Sequence, residues 1–146
     1  MKFRLIIDPD QEEQVVATVH ARSPLTDQLE DLLMERSRPD RIVAYTEDNI
    51  RILNFSEIAC ITVIDGKTWA IHACGDRYRL KQRLYELDPL LPKSFFRINK
   101  SSFANENHLL KFTTTFSGAV DAIFKCGYRE YVSRRCFAAI KRRYEI

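Results

Sequence analysis

From residue 41 onward the chain is a succession of short β-prone runs separated by two-residue turn signals, and no other feature constrains its fold as much. RIVAYT and NIRILNF flank Glu47-Asp48, IACITVI and KTWAIHAC flank Asp65-Gly66, and HLLKFTTTF and AVDAIFKC flank Ser117-Gly118. Asp-Gly between such runs marks a type I′ hairpin, whose two central residues both take positive φ. Gly75-Asp76 turns the chain once more, into RYRLK. Strands joined by links this short lie antiparallel, because a parallel crossover needs a dozen or more residues. Phe112, Phe116 and Phe124 fall at strand alternation and are expected in the core. The expected class is mainly β with short helices added (α+β).

Three segments read as helices. Ser23 followed by Pro24 is an N-cap with proline at the first helical position, and Leu25, Leu29, Leu32 and Leu33 share one face before Arg36, Arg38 and Pro39 close the run. LKQRLYEL is a short helix stopped by Pro89 and Pro92. Ser133 caps a last helix with Phe137, Ile140 and Tyr144 on its apolar stripe. Ahead of the first helix, MKFRLIID and VVATVHAR alternate as strands do. The chain therefore divides into an N-terminal β/α segment, residues 1–40, which packs or dimerises, and a domain over residues 41–146.

Size and composition set outer limits. The chain has 146 residues, 45% of them apolar, with four glycines and five prolines. That suffices for a folded domain with its own core and argues against disorder. No apolar run approaches the roughly 18 residues of a membrane span, and acidic residues follow MKFRLII where a secretory signal would continue. A cytoplasmic protein with no membrane association is expected.

Cys60, Cys74, Cys126 and Cys136 lack any CxxC spacing, and His20, His72 and His108 lack metal-motif spacing. Buried free thiols, no metal and no cofactor are expected. Cys74 stands two residues from His72, on one face if both lie on a strand, but no neighbour in sequence supplies an orienting acid. No catalytic constellation emerges, and an enzyme is not expected.

Charge is distributed unevenly. Residues 1–40 hold five Lys/Arg against nine Asp/Glu, a net −4, and residues 41–92 hold seven of each. Residues 93–146 hold eleven against four, a net +7, the footprint of a polyanion-binding face. Within that stretch Arg134 and Arg135 open the last helix, where the macrodipole favours anions. Adjacent arginines there cost a few tenths of a kcal/mol unless an external anion such as phosphate lies in front of them.

Residues 95–105, FFRINKSSFAN, repeat this arrangement. Phe95, Phe96, Ile98 and Phe103 anchor a strand and turn, while Arg97, Asn99, Lys100, Ser101 and Ser102 offer donors for which a core has no use. Lys and Arg suit phosphate or the guanine edge, Asn suits adenine, and Ser suits backbone oxygens.

FFRINKSSFAN, then HLL, a hairpin, and YREYVSRRCFAAIKRRY together resemble the LytTR family of bacterial DNA-binding domains. That family's pattern reads roughly F-x-R-x-[HN]-[RK]-S-x-x-x-N, with Ser-Arg-Arg opening the last helix some thirty residues later. The resemblance spans about residues 41–146 and includes Ser56-Glu57-Ile58 and the hairpin from Ile61 to Ala73. It implies a stack of small antiparallel sheets with short helices that inserts loops, not a recognition helix, into successive major grooves.

Carried over position by position, the resemblance makes Lys100 and Arg135 base-contacting, with Lys67 or Thr68 near the first reading loop. Arg97, Asn99, Ser101, Asn105, Ser133 and Arg134 become backbone-contacting or loop-supporting residues. The implied partner is double-stranded DNA bearing operator repeats, bound as a homodimer at least on DNA. Family members usually carry a receiver domain; the first 40 residues are too short for one, so the chain resembles a stand-alone, response regulator-like transcriptional regulator. The alternative is a nucleic-acid-binding module without sequence preference, for RNA included. Against it, the sequence lacks the paired aromatic motif of an RNA-recognition domain and any GXXG loop.

Overall fold

The computed structural model describes residues 1–37 and 39–145; the side chains of residues 35–37, and with them the helix-closing positions Arg36 and Arg38, lie outside the described residues. The chain forms two compact units, residues 1–34 and 35–146.

In the first unit, residues 1–23 form neither strand nor helix, so the two strands expected in MKFRLIID and VVATVHAR are absent. Alternation only permits a strand; a hydrogen-bonded neighbour makes one, and these residues have none. Asp8 instead closes a local turn, its Oδ1 accepting from the Asp10 N–H at 3.0 Å. Helix α1 (Pro24–Ser37) starts where the cap signal places it. The Ser23 N–H donates to Thr26 Oγ1 at 2.9 Å, and Arg22 Nε lies 3.1 Å from Asp27 Oδ1, which fixes the first turn. Leu25, Leu29, Leu32 and Leu33 are all exposed.

The second unit is built on a seven-stranded antiparallel sheet. Its strands are β1 (Arg41–Tyr45), β2 (Ile50–Asn54), β3 (Ile58–Ile64), β4 (Lys67–His72), β5 (Arg77–Leu80), β6 (Phe95–Asn99) and β7 (Ser102–Asn105). They lie side by side in the order β2-β1-β5-β4-β3-β7-β6. A three-stranded sheet follows, β8 (Leu109–Thr114), β9 (Val120–Phe124) and β10 (Arg129–Val132), in the order β10-β9-β8. Asp65 and Gly66 take φ of 53° and 75°, the positive pair that a type I′ turn between β3 and β4 requires. Strand β5 absorbs Leu80, so the expected helix LKQRLYEL shrinks to α2 (Leu84–Leu87), continued as a 3-10 turn through Leu90.

Strand alternation sorts two cores onto the two faces of the large sheet. Ile42, Leu53, Ile61, Leu80 and Phe103 form one core with Leu87 and Leu91. Cys60, Ile71, Ile98 and Ala104 form the other with Phe124 and Val132 of the small sheet and Ile140 of α3 (Arg134–Tyr144). Two expected core aromatics are missing from it. Phe116 lies beyond the end of β8, in a turn closed by the Thr115 N–H donating to Ala119 O, and is fully exposed. Tyr144 is 48% exposed because α3 meets the core through Ile140 and Phe137 and its last turn has passed the edge.

Candidate nucleic-acid interface

The β6–β7 turn carries Lys100 and is tied from several directions. Asn99 is buried, and its amide is divided among three partners: Nδ2 donates to Tyr131 O at 2.6 Å and to Glu130 Oε1 at 3.4 Å, while Oδ1 accepts the Ser101 N–H at 2.8 Å. Arg97 reaches round the turn to donate to Lys100 O at 2.9 Å, with its guanidinium 4.6 Å above the Phe103 ring. The Val63 N–H donates to Ser101 O at 3.0 Å. That bond sets the β3–β4 turn, with Lys67, beside the β6–β7 turn at one end of the large sheet. Lys100 itself is exposed.

Beneath the turn lies a polar network of which the sequence gives no hint. Thr62 Oγ1 and Ser102 Oγ are 2.7 Å apart and buried, on neighbouring strands paired Thr62↔Ser102. The Tyr128 hydroxyl donates to Glu130 Oε2 at 2.6 Å, and Glu130 also reaches Thr62 at 3.5 Å. Burial pushes the Tyr128 phenol far above its ordinary value, and the hydrogen bond to Glu130 adds to the shift. The phenol is therefore a permanent donor, and Glu130 is held to accept from it. Since Glu130 and Tyr131 both lie on β10, this network and the Asn99 amide fix β10 against the end of β6.

Three residues further along, Ser133 caps α3: its Oγ accepts the Cys136 N–H at 3.1 Å, and its own N–H donates to Ile98 O at 2.9 Å. The start of α3 is thereby held beside the β6–β7 turn. Arg97, Lys100, Ser101, Tyr131, Ser133 and Arg135 line one open groove, floored by Phe96 and Ile140. Arg134 lies on the other side of the helix start, lining a second depression with Ser117 and Gly118 of the β8–β9 turn.

The predicted site residues thus divide by what already occupies them. Among the described residues, Lys67, Lys100, Arg134 and Arg135 make no ion pair and are exposed. Asn99 and Ser133 are spent on internal hydrogen bonds. So is Asn105, buried with Nδ2 donating to Ile58 O at 2.9 Å and Oδ1 accepting the Asn107 N–H at 3.1 Å. Thr68 is only 6% exposed, paired with Val63 and Leu80 inside the sheet, so of the two candidates at the first turn only Lys67 presents a side chain to solvent. Arg143, which the sequence did not single out, also lines the groove, but it is committed to Glu106 and lies 5.1 Å over the Phe96 ring.

Among the described residues no cluster of His, Cys, Asp and Glu is arranged to hold a metal ion, and no helix is long and apolar enough to cross a membrane.

Comparison with known proteins bears on this geometry. A family model described as the LytTr DNA-binding domain matches residues 48–145. Relatives from Staphylococcus aureus strains NCTC 8325 / PS 47 and COL, each 30% identical across all of this chain and 99% of their own length, carry the name uncharacterized HTH-type transcriptional regulator. A solved LytTr DNA-binding domain from Bacillus cereus has the same fold, with a TM-score of 0.65 at 24% identity over 71% of this chain and 95% of that one. Antiparallel sheets with three short helices are what that fold provides here. The chain belongs to the LytTR family and carries its DNA-binding domain over residues 48–145.

Proposed function

We propose that this protein is a sequence-specific transcriptional regulator, not an enzyme, that reads double-stranded DNA in successive major grooves through its turns and the start of α3. One observation carries the reading: Lys100 and Arg135, from elements 35 residues apart, line a single groove, and among the described residues neither makes an ion pair, with Glu130 of the same groove held by Tyr128 and Asn99. A protein that keeps two unpaired cations together on a turn and a capped helix start sacrifices local stability, which an external polyanion restores. Lys100 and Arg135 contact base edges and Lys67 reads from the neighbouring turn. Arg134 and the outward N–H groups of Arg97 take phosphate, while Asn99, Ser101, Asn105 and Ser133 hold the turns.

The protein acts in the cytoplasm, as a homodimer on repeated half-sites, and residues 1–40 serve dimerisation. Regulatory function is the reading that the named relatives favour. The test is binding of Lys100→Ala and Arg135→Ala to cognate and scrambled duplexes. Each substitution should cost about 1–3 kcal/mol on the cognate site and much less on scrambled DNA. Equal losses on both duplexes would leave only an electrostatic handle, the property of a nucleic-acid-binding module without sequence preference.

A further inference from the structure

At the end of the large sheet opposite the groove, four side chains form a hydrogen-bonded series running from carboxamide to carboxylate, imidazole and thiol. Asn54 Nδ2 donates to Glu57 Oε1 at 2.8 Å. Glu57 Oε2 lies 3.0 Å from His72 Nε2, and His72 Nδ1 lies 3.1 Å from Cys74 Sγ. The sequence places His72 near Cys74 but hides the acid, because Glu57 arrives from the connection before β3 through the pairing of Ile58 with His72.

The tautomer follows from the contacts. The Cys74 backbone N–H donates to His72 Nδ1 at 3.1 Å, so Nδ1 carries the lone pair and the ring proton sits on Nε2, facing Glu57. The same Nδ1 lone pair also faces the thiol, so it releases the Cys74 N–H when it takes the thiol's proton, and the carboxylate stabilises the imidazolium that forms. This is the nucleophile–base–orienter geometry of an activated cysteine. The parts are held in place: the His72 side chain is 14% exposed, with the Tyr78 ring 6.0 Å away, while Cys74 is exposed. The Gly75 N–H donates to His72 O and the His72 N–H to Asp76 O, closing the turn. Asp76 Oδ2 is 3.5 Å from Sγ, which opposes the thiolate and repels anionic reactants. Arg77, the nearest cation in sequence, is turned away over the Trp69 ring at 4.8 Å.

We propose that Cys74 is a reactive thiol, activated by His72 and Glu57, that exchanges with small neutral or cationic disulfides to form a mixed disulfide on this turn. The thiol passes its proton to His72 Nδ1. Sγ then attacks one sulfur of the disulfide, a new S–S bond forms as the old one breaks, and the departing thiolate takes the proton from the imidazolium. The net change is Cys74–SH plus RSSR giving Cys74–SSR plus RSH, with no other oxidant. Cys60 is buried, with burial pushing its thiol well up, and Cys126 and Cys136 are half-buried, which leaves Cys74 as the accessible thiol. The site stands one strand length from Lys67, about 17 Å at ~3.3 Å per residue, so the adduct leaves the DNA-reading turns clear.

The test is to treat the full chain with cystamine, a cationic disulfide, and to follow the adduct at each cysteine by peptide mass spectrometry from pH 5 to 9. At pH 7, Cys74 in the folded chain should react about threefold or more faster than in the urea-unfolded chain, since only folding holds His72 Nδ1 3.1 Å from Sγ, where it takes the thiol's proton. His72→Gln should return the rate to the unfolded value. Glu57→Gln, which keeps an acceptor for the Nε2 proton but loses the charge, should slow the reaction and move the midpoint of its pH profile upward. Asp76→Asn should accelerate it. If His72 and Glu57 served only to clamp β3 to β4, these substitutions would shift thermal stability and leave the rate and pH midpoint unmoved. A folded-state rate no greater than the unfolded one, or a rate and pH midpoint unchanged by Glu57→Gln in a folded variant, overturns the proposal. Binding to duplex DNA should be the same before and after cystamine treatment, and a loss on modification would overturn the placement of this site away from the interface.

Discussion

Two turns flank the start of α3, and they are built on different principles. The β6–β7 turn is held by Asn99, Arg97, Ser101 and the Glu130 network, each bond reaching to another strand or across the turn itself. The β8–β9 turn closes on itself, through the Thr115 N–H to Ala119 O and the Thr115 Oγ1–Ser117 Oγ pair at 2.9 Å, and raises Phe116 fully into solvent. A side chain that must meet a base edge has to be held still before binding, or the cost of ordering it is subtracted from the affinity. Only the first turn satisfies that condition, and it is the one that bears Lys100.

The comparison can be broken at several points, beginning where the effect should be largest. Phe116 within the β8–β9 turn and Phe124 at the end of β9 share the same sequence alternation, yet Phe124 is fully buried and Phe116 fully exposed. Phe124→Ala should lose about 3–5 kcal/mol of stability in chemical denaturation. Asn99→Ala removes the amide that ties β6 to β10 and strands buried partners, so unfolding should become easier by about 1–3 kcal/mol. Discrimination between cognate and scrambled duplex should fall with it, since Lys100 loses its support; full discrimination in a destabilised variant would mean that the turn's rigidity does not matter. Arg134→Ala, on the side of the second turn, should weaken both duplexes alike and make the log–log salt slope shallower by about one unit. A base-specific loss would move the reading site to the other side of the helix. Phe116→Ala should change stability by less than about 0.5 kcal/mol. If that substitution instead lowers DNA affinity at unchanged melting temperature, the open turn is also a contact and the contrast between the two turns fails.

The sequence by itself determined every element whose cause is local. Asp65-Gly66 takes the two positive φ values because few other dipeptides can, and Ser133 caps α3 because its hydroxyl meets an N–H three residues on. The motif FFRINKSSFAN with Ser-Arg-Arg carries the family, since side chains that serve a common fold and ligand keep their spacing. The tertiary structure alone decided what depends on a neighbour distant in the chain. Without a ladder partner, MKFRLIID and VVATVHAR form no strands despite their alternation. Phe116 and Thr68 exchanged their expected environments, because burial is fixed by where a strand ends and which face is covered, and periodicity specifies neither. Glu130 is a surface acid in sequence and an anchor of the β6–β7 turn in the fold, and Glu57 becomes the partner of His72 only when β3 pairs with β4. Hydrogen bonds and ion pairs act over about 3 Å, so a residue's chemistry stays undetermined until folding brings its partner within that distance.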